Sequence, residues 1–336
     1  MDWNTHLVRY SELRPGSAAF VDARIPGSHM KENFCIVGKG VSENPRQPIH
    51  IRETDGFHVG AAGQPPGILN SLHSHFSAEV FMIFKGSFRI YWGPEGENEA
   101  VLHPGDMISV PTNCFRGFEV VGNEYGFLFA LLGRDDAGGG IVWHPDVLLE
   151  GRTHGLYLLK DKRLADTTAG DPVPEEDELF PLMTDAERAA FDNYTVNEMM
   201  EFINKKEELV PTDHPFSTRG DFLQFNLSGD GASATDFLVK SRDDACIFAY
   251  QMESGGRVPL HQRPENQVLV QMEGDVLVEL ESDRSTNPGT PLVLTPGDTF
   301  DLPKGTPYAL HNLRGRSKTY CFVAGNDPAQ PEVFDK

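Results

Sequence analysis

The sequence has few cysteines, and no two of them lie close together. The four thiols form no Cys-x-x-Cys pair and stand at Cys35, Cys114, Cys246 and Cys321. A disulfide framework or a thiolate zinc site is therefore not expected, and we interpret the thiols as reduced.

Basic residues are scarce relative to acidic ones. Lys and Arg number 29 against 50 Asp and Glu, which gives a formal charge of −21. A nucleic-acid-binding surface needs clustered Lys and Arg, so we expect no nucleic-acid partner. The acidic excess is typical of a soluble cytoplasmic protein.

Long apolar runs are also missing. No run approaches the roughly 20 residues needed to span a bilayer, and the N-terminal MDWNTHLVRYSELRPG has no apolar stretch of signal-peptide length. We therefore expect no membrane association. Helical periodicity is confined to residues 184–209, where Thr184 and Glu187 match a capping box and a second helix is predicted after Thr195.

Turn residues and short strand signals dominate the remainder. The 336 residues include 33 Gly and 24 Pro. From about His50 onward, apolar runs such as FHVGAA, VFMIFKGSFRIYW and YGFLFALLG alternate with turn residues. This pattern predicts an all-β sandwich or barrel, and the length suffices for two of them.

An internal repeat supports the duplication. At one constant offset, Gly67, His73, Glu79 and Gly86 recur as Gly255, His261, Gln267 and Gly274, and at a second offset Gly105, Pro111 and Arg116 recur as Gly297, Pro303 and Tyr308. Five of these seven pairs are identities, so we interpret the chain as a duplicated barrel.

The repeat divides the chain into four segments. Residues 1–50 are predicted to be an N-terminal arm, 51–160 a first barrel, 161–214 an acidic and helical linker, and 215–336 a second barrel.

The first repeat carries a candidate set of metal ligands. His73 and His75 are two apart, so both rings project from one face of a strand, and Glu79 has the same parity. Two imidazoles and one carboxylate suit Fe(II) and also accept Mn, Ni, Co or Zn. The alternative is a pair of hydrogen-bonded core histidines.

The stretch from Gly67 to Gly86 resembles the first signature of the cupin superfamily, Gly-x5-His-x-His-x3-Glu-x6-Gly, at every defined position. The second signature begins at Gly105 and departs from the family pattern at three positions. Asn113 replaces a glycine, Arg116 replaces the fourth ligand, a histidine, and Val120 replaces an asparagine.

This resemblance implies a bicupin, with two tandem antiparallel jelly-roll-like barrels and a short helical linker, that forms a homodimer or a larger homo-oligomer. The chain is similar to bicupin dioxygenases of the gentisate type, although their third histidine is absent here. We therefore expect an Fe(II)-dependent dioxygenase of a small aromatic or carboxylic substrate. Two alternatives remain open: a non-catalytic bicupin that binds small anions, and a redox-silent metal-dependent isomerase or lyase.

Three further residues are candidates for the substrate pocket. Arg116 either pairs with Glu79 or binds a substrate anion beside the metal, which would make it catalytic. Phe81 and Cys114 have the parity of inward-facing residues, with ordinary barrel core as the alternative.

The second barrel lacks the metal ligands. Arg263, Gln267 and Tyr308 stand at three ligand positions, and His261 remains at the fourth. An always-protonated arginine is not a ligand and glutamine is a poor one. We expect these four side chains to form a satisfied polar network, with a second anion-binding pocket as the alternative.

Overall fold

The computed structural model describes residues 1–54, 56–212, 221–230, 237–240, 244–280 and 292–334. The chain forms two compact units, Arg14–Lys206 and a second one made of Met1–Leu13 together with Glu207–Lys336. Among the described residues, each unit contains one seven-stranded and one five-stranded sheet, and Arg14–Lys206 has a two-stranded sheet as well. The prediction of an all-β chain with two tandem barrels is confirmed.

The strands in chain order are β1 (Leu7–Val8), β2 (Glu32–Val37), β3 (Ile49–Ile51), β4 (Phe57–Gln64), β5 (Leu69–His75), β6 (Glu79–Lys85), β7 (Ser87–Trp92), β8 (Asn98–Leu102), β9 (Met107–Val110), β10 (Arg116–Val121), β11 (Gly126–Gly133), β12 (Ile141–Trp143), β13 (Leu156–Leu158), β14 (Leu164–Asp166), β15 (Ile203–Asn204), β16 (Phe222–Gly229), β17 (Val239–Lys240), β18 (Ala245–Met252), β19 (Arg257–Gln262), β20 (Gln267–Glu273), β21 (Val276–Leu280), β22 (Leu292–Leu294), β23 (Thr299–Leu302), β24 (Tyr308–Asn312), β25 (Ser317–Ala324) and β26 (Glu332–Val333). The α-helices are α1 (Pro145–Thr153), α2 (Asp185–Arg188) and α3 (Val196–Met200), and the 3-10 helices are Trp3–His6, Tyr10–Glu12, Ala137–Gly139, Thr167–Ala169, Glu176–Glu178 and Lys206–Glu208.

The two units have the same strand order. The first orders its sheets β15-β9-β6-β11-β4-β2-β3 and β12-β5-β10-β7-β8, and the second β1-β23-β20-β25-β18-β16-β17 and β26-β19-β24-β21-β22. The pairing register repeats as well, because Arg116 lies opposite His73 and Tyr308 lies opposite His261. The duplication inferred from seven recurring residues in the sequence therefore applies to the strand order and pairing of both units.

The core of each unit lies between its two sheets, where inward-facing residues of both sheets are buried. In the first unit this core includes Phe81, Trp92 and Phe118, and in the second it includes Phe248 and Phe300. Alternate residues of strands such as β7 and β21 are buried, which is the period-two pattern of a strand that covers a core on one side.

Residues predicted to form an arm contribute to both units. β2 and β3 extend the large sheet of the first unit, whereas β1 pairs with β23 in the second. Arg9 secures β1 because its Nη1 donates to Asp298 Oδ2 at 2.6 Å. These strands are hard to recognise in the sequence, because β1 and β3 are only two and three residues long and β2 buries four consecutive residues instead of alternate ones.

The helical region is shorter than predicted. Thr184 and Thr195 do cap α2 and α3 with full capping boxes, but the two helices have four and five residues. Helix α1 was not predicted, since it begins with His144 and Pro145 rather than with a preferred Ser, Thr, Asp or Asn cap. The expected boundary between linker and second barrel, at residues 214–215, lies outside the described residues. Among the described residues, no helix is long and apolar enough to cross a membrane.

Substitution of Gly86, which lies at a turn that recurs in both barrels, tests whether this turn requires glycine. It has φ +67°, and an added Cβ would lie 2.8 Å from Gly126 Cα. We expect Gly86→Ala to lower the free energy of unfolding by about 2 to 3 kcal/mol, because strain and steric overlap add. The control is Gly67→Ala, since Gly67 has φ +75° with no atom within 4 Å of its added Cβ. Gly67→Ala should lower the stability by only about 1 kcal/mol in urea unfolding, and equal losses would contradict the steric argument.

Candidate metal centre

Three side chains on β5 and β6 meet inside the first barrel. His73 and His75 project from the same face of β5, and Glu79 opens β6. Glu79 Oε2 lies 3.8 Å from His73 Nε2 and 3.6 Å from His75 Nε2. One ligand atom from each residue lies within 4.8 Å of the others, and all three residues are buried. The structure therefore brings together the three ligands expected from the spacing.

The backbone orients both imidazoles. His73 Nδ1 faces the carbonyl oxygen of Ser71 at 2.7 Å, and His75 Nδ1 faces that of Gly140 at 3.3 Å. Because a carbonyl only accepts, each Nδ1 carries a proton, so in the neutral ring Nε2 is the nitrogen with the free lone pair, and it faces Glu79. Fixing the ligand tautomer through the other ring nitrogen is the usual support of a metal-binding histidine.

The charge states also suit a cation. Burial would raise the pKa of Glu79, but its interactions with the neighbouring His75, Arg116 and His73 outweigh it and lower the pKa to about 2. Arg116 is the permanent charge among these neighbours. Burial, together with Arg116, holds the pKa of His75 well below its ordinary value. A neutral imidazole and an ionised carboxylate are the forms that bind metal, so the residues fit a divalent ion.

Arg116 occupies the position of the missing fourth ligand. Its Nε donates to Glu79 Oε2 at 3.1 Å and its Nη1 donates to the carbonyl oxygen of Cys114 at 3.0 Å. The guanidinium is fully buried, and its Nη2 has no partner. Arg116 is thus paired with Glu79, and its Nη2 is available to donate to another acceptor.

A cavity of about 80 Å³ opens beside the three ligands. Phe81 and Phe118 form part of its wall. Arg116 and Cys114, both candidates for substrate contact, are not among the lining residues, and Cys114 packs in the core of the barrel. Of the three candidate pocket residues Arg116, Phe81 and Cys114, only Phe81 lines this cavity.

Much of the cavity wall comes from residues that the sequence reading missed. Ala19, Phe20, Phe34, Cys35, Ser42 and Gln47 of the predicted arm line it, as does Trp143 of β12. The Trp143 ring lies 5.5 Å from that of His73, and its Nε1 donates to Glu43 Oε1 at 2.6 Å. The arm has no periodicity that would have identified these residues.

A buried ion pair from the same segment supports His73. Lys31 donates to Asp22 and, at 2.6 Å, to Asn70 Oδ1, and the backbone N–H of Ser71 donates to Asp22 Oδ2 at 3.1 Å. Asp22 and Lys31 therefore fix residues 70–71, whose Ser71 carbonyl orients the imidazole.

The equivalent position in the second barrel has no such group of ligands among the described residues. His261 keeps the backbone contact of its counterpart, with Nδ1 2.8 Å from the carbonyl oxygen of Pro259, and the Tyr308 hydroxyl donates to Gln267 Oε1 at 3.0 Å. However, Arg263 Nε and Gln267 Nε2 are buried without a partner. Two donors of the expected network therefore lack an acceptor within the protein.

Comparison with known proteins supports the fold. No protein-family model matches the chain, and no curated protein matches its sequence. Among solved structures, an oxalate decarboxylase from Lactobacillus farciminis in complex with formate matches with a TM-score of 0.58 and 12% identity, covering 98% of this chain and 88% of that one. Oxalate decarboxylase from Bacillus subtilis at pH 4.6 matches with the same TM-score and identity, covering 98% and 78%. The chain therefore has the bicupin fold.

Glu43, which holds Trp143, should make the stability depend on pH. Burial raises its pKa from 4.5 to about 7. The folded state then keeps a proton that the unfolded state has lost, so the stability contribution of Glu43 is full below the unfolded pKa and disappears as the pH rises through the folded one. Relative to Glu43→Gln, we expect the wild type to lose up to about 3 kcal/mol between about pH 4.5 and pH 7.

Urea unfolding across this range measures that difference. Glu124→Gln, which changes an exposed carboxylate of the same unit, is the control and should show no such trend. A difference between wild type and Glu43→Gln that stays constant with pH would contradict the raised pKa.

Proposed function

We propose that the first barrel binds one divalent metal ion through His73, His75 and Glu79, and that the protein is an Fe(II)-dependent dioxygenase of a small carboxylic acid. The buried set of two histidines and one carboxylate carries this proposal. Such a set leaves positions on an octahedral ion open and is typical of non-haem Fe(II) oxygenases.

The residues of the chain have separable roles. The two Nε2 atoms and the Glu79 carboxylate hold the metal, and Arg116 positions that carboxylate and keeps it ionised. A bound Fe(II) supplies activation of dioxygen and polarisation of a chelating carboxylate. The apolar wall that includes Phe81 and Trp143 excludes water from the reacting groups.

The size of the cavity favours a small substrate. Its volume of about 80 Å³ is well below the roughly 150 Å³ of a cavity known to hold benzene. The carboxylic alternative is therefore better supported than an aromatic one. Oxalate, named as the substrate of the structural neighbours, is a small carboxylic acid and is the first compound to test.

The contact between Arg116 and Glu79 favours a second candidate function. At 3.1 Å the guanidinium already satisfies the carboxylate, as a non-catalytic bicupin without a metal would require. The assembly into a homodimer or larger homo-oligomer stays a prediction under either function.

Metal content distinguishes the two functions. We expect the purified protein to contain one metal ion per chain, and Glu79→Gln to lose most of it, since the amide is a poor ligand but still accepts from Arg116. Elemental analysis measures the metal, with His103→Gln as a control because His103 contacts Ser87 outside the site. Retention of metal by Glu79→Gln, or a metal-free wild type, would contradict the metal site.

Oxygen uptake with small carboxylic acids tests the reaction. The iron-loaded wild type should consume oxygen with its substrate, and Glu79→Gln should lose at least about a hundredfold in rate, the loss typical of an essential group. Release of carbon dioxide without oxygen uptake would replace the dioxygenase by a redox-silent lyase.

Arg116→Met tests whether Arg116 positions Glu79 for metal binding or only forms a structural ion pair with it. In metal-free protein this change leaves a buried unpaired carboxylate, and we expect a loss of about 3 kcal/mol in the free energy of unfolding. Addition of Fe(II) without oxygen should restore most of that stability, because the metal then neutralises Glu79. If the metal does not stabilise this variant, Arg116 and Glu79 form a structural pair only.

A further inference from the structure

The interior of the second barrel contains a cation without a counter-ion. Arg263 follows β19 at the position equivalent to His75 and is 2% exposed. Its Nη1 donates to the carbonyl oxygen of Ala329 at 2.7 Å, and the guanidinium lies 4.9 Å from the centre of the Phe248 ring. Among the described residues no carboxylate pairs with it, whereas Arg116 in the first barrel has Glu79.

Four side chains around Arg263 are neutral, and the nearby carboxylate of Glu265 accepts from the Ala329 N–H at 2.7 Å without forming an ion pair with Arg263. Burial raises the pKa of Tyr250, of Tyr308 and, to about 11, of Cys321, so two phenols and a thiol keep their protons. Burial lowers the pKa of His261 to about 3, which leaves a neutral imidazole. The charge of Arg263 is therefore not balanced locally, and burying an unpaired charge is unfavourable by several kcal/mol.

Donors without a protein acceptor surround the same place. Gln267 Nε2 is buried and has no hydrogen-bond partner. The Tyr250 hydroxyl and Arg263 interact with each other, but neither that hydroxyl nor Arg263 Nε reaches an acceptor at full hydrogen-bond geometry. Tyr250 on β18 and Gln267 on β20 flank β25, where Cys321 lies 3.6 Å from Gln267 Oε1. Since Cys321 also contacts the Tyr308 hydroxyl at 3.9 Å, these groups belong to one cluster that spans both sheets.

We propose that a small monovalent anion, of halide or formate size, binds inside the second barrel between Arg263, Gln267 and Tyr250. Such an anion balances the guanidinium charge and accepts from donors that have no protein acceptor. A metal ion does not fit, because an arginine and an amide nitrogen repel it. The proposed anion site thus lies at the positions equivalent to the metal ligands of the first barrel, but it binds a negative ion instead of a positive one.

Exchange of gluconate for bromide at constant ionic strength tests the site in the full-length protein. Gluconate is too large for a halide-sized site, so bromide should raise the Tm of the second unit by about 3 to 6 °C at ten times its Kd. Crystals grown with bromide should show an anomalous peak next to Arg263 Nε. Absence of both effects, or bromide peaks at the surface only, would overturn the proposal.

Gln267→Glu tests the proposal more directly than removal of Arg263 does. It introduces the carboxylate that the first barrel has at the equivalent position, so Arg263 gains an internal counter-ion. We expect this variant to be more stable than the wild type in gluconate and to lose the bromide-dependent shift in Tm. A shift equal to that of the wild type would contradict the proposal.

Arg263→Met should also abolish the shift, with Arg314→Met as the control, because Arg314 is an exposed arginine of the same unit that pairs with Asp275. The control should keep the full bromide effect, and its loss there would indicate a general salt effect instead. Metal content of the first barrel should not change in any of these variants, so the two sites are tested independently.

Discussion

The geometry of the first barrel depends on one carboxylate oxygen. Glu79 Oε2 lies within 4 Å of His73 Nε2, His75 Nε2 and Arg116 Nε. Two neighbours offer lone pairs and the third offers a proton, so the same oxygen is placed either to share a cation with the imidazoles or to neutralise the guanidinium. The antiparallel register that sets Arg116 opposite His73 enforces this meeting.

This arrangement explains how a buried arginine is compatible with a metal site. A cation at the fourth ligand position would repel a divalent ion if it faced the ion directly. Here Nε approaches Glu79 and Nη1 is fixed by the Cys114 carbonyl, and Arg116 is not among the residues that line the cavity. The arginine therefore acts on the carboxylate from behind, and its field helps to keep Glu79 ionised and His75 neutral.

The sequence was sufficient for the features that depend on local spacing. Glycines such as Gly86 and Gly274 recur because the turn requires a positive φ, and the ligand pattern follows from the alternation of side chains on β5. The cavity wall was not predictable, because Phe20, Trp143 and their support reach the site through long-range packing. Neither the Asp22–Lys31 pair nor the bond from Trp143 to Glu43 has a signature in one sequence.

The two barrels differ in the charged groups that they bury at equivalent positions. The backbone contact that orients His73 is preserved at His261, so the frame around the site has not changed. What differs is the balance of donors and acceptors: a carboxylate balances the buried arginine of the first barrel, whereas glutamine and two phenols surround that of the second. Because a buried charge must be compensated locally, glutamine in place of the carboxylate leaves the buried arginine without an internal counter-ion, which is the basis of the proposed anion site.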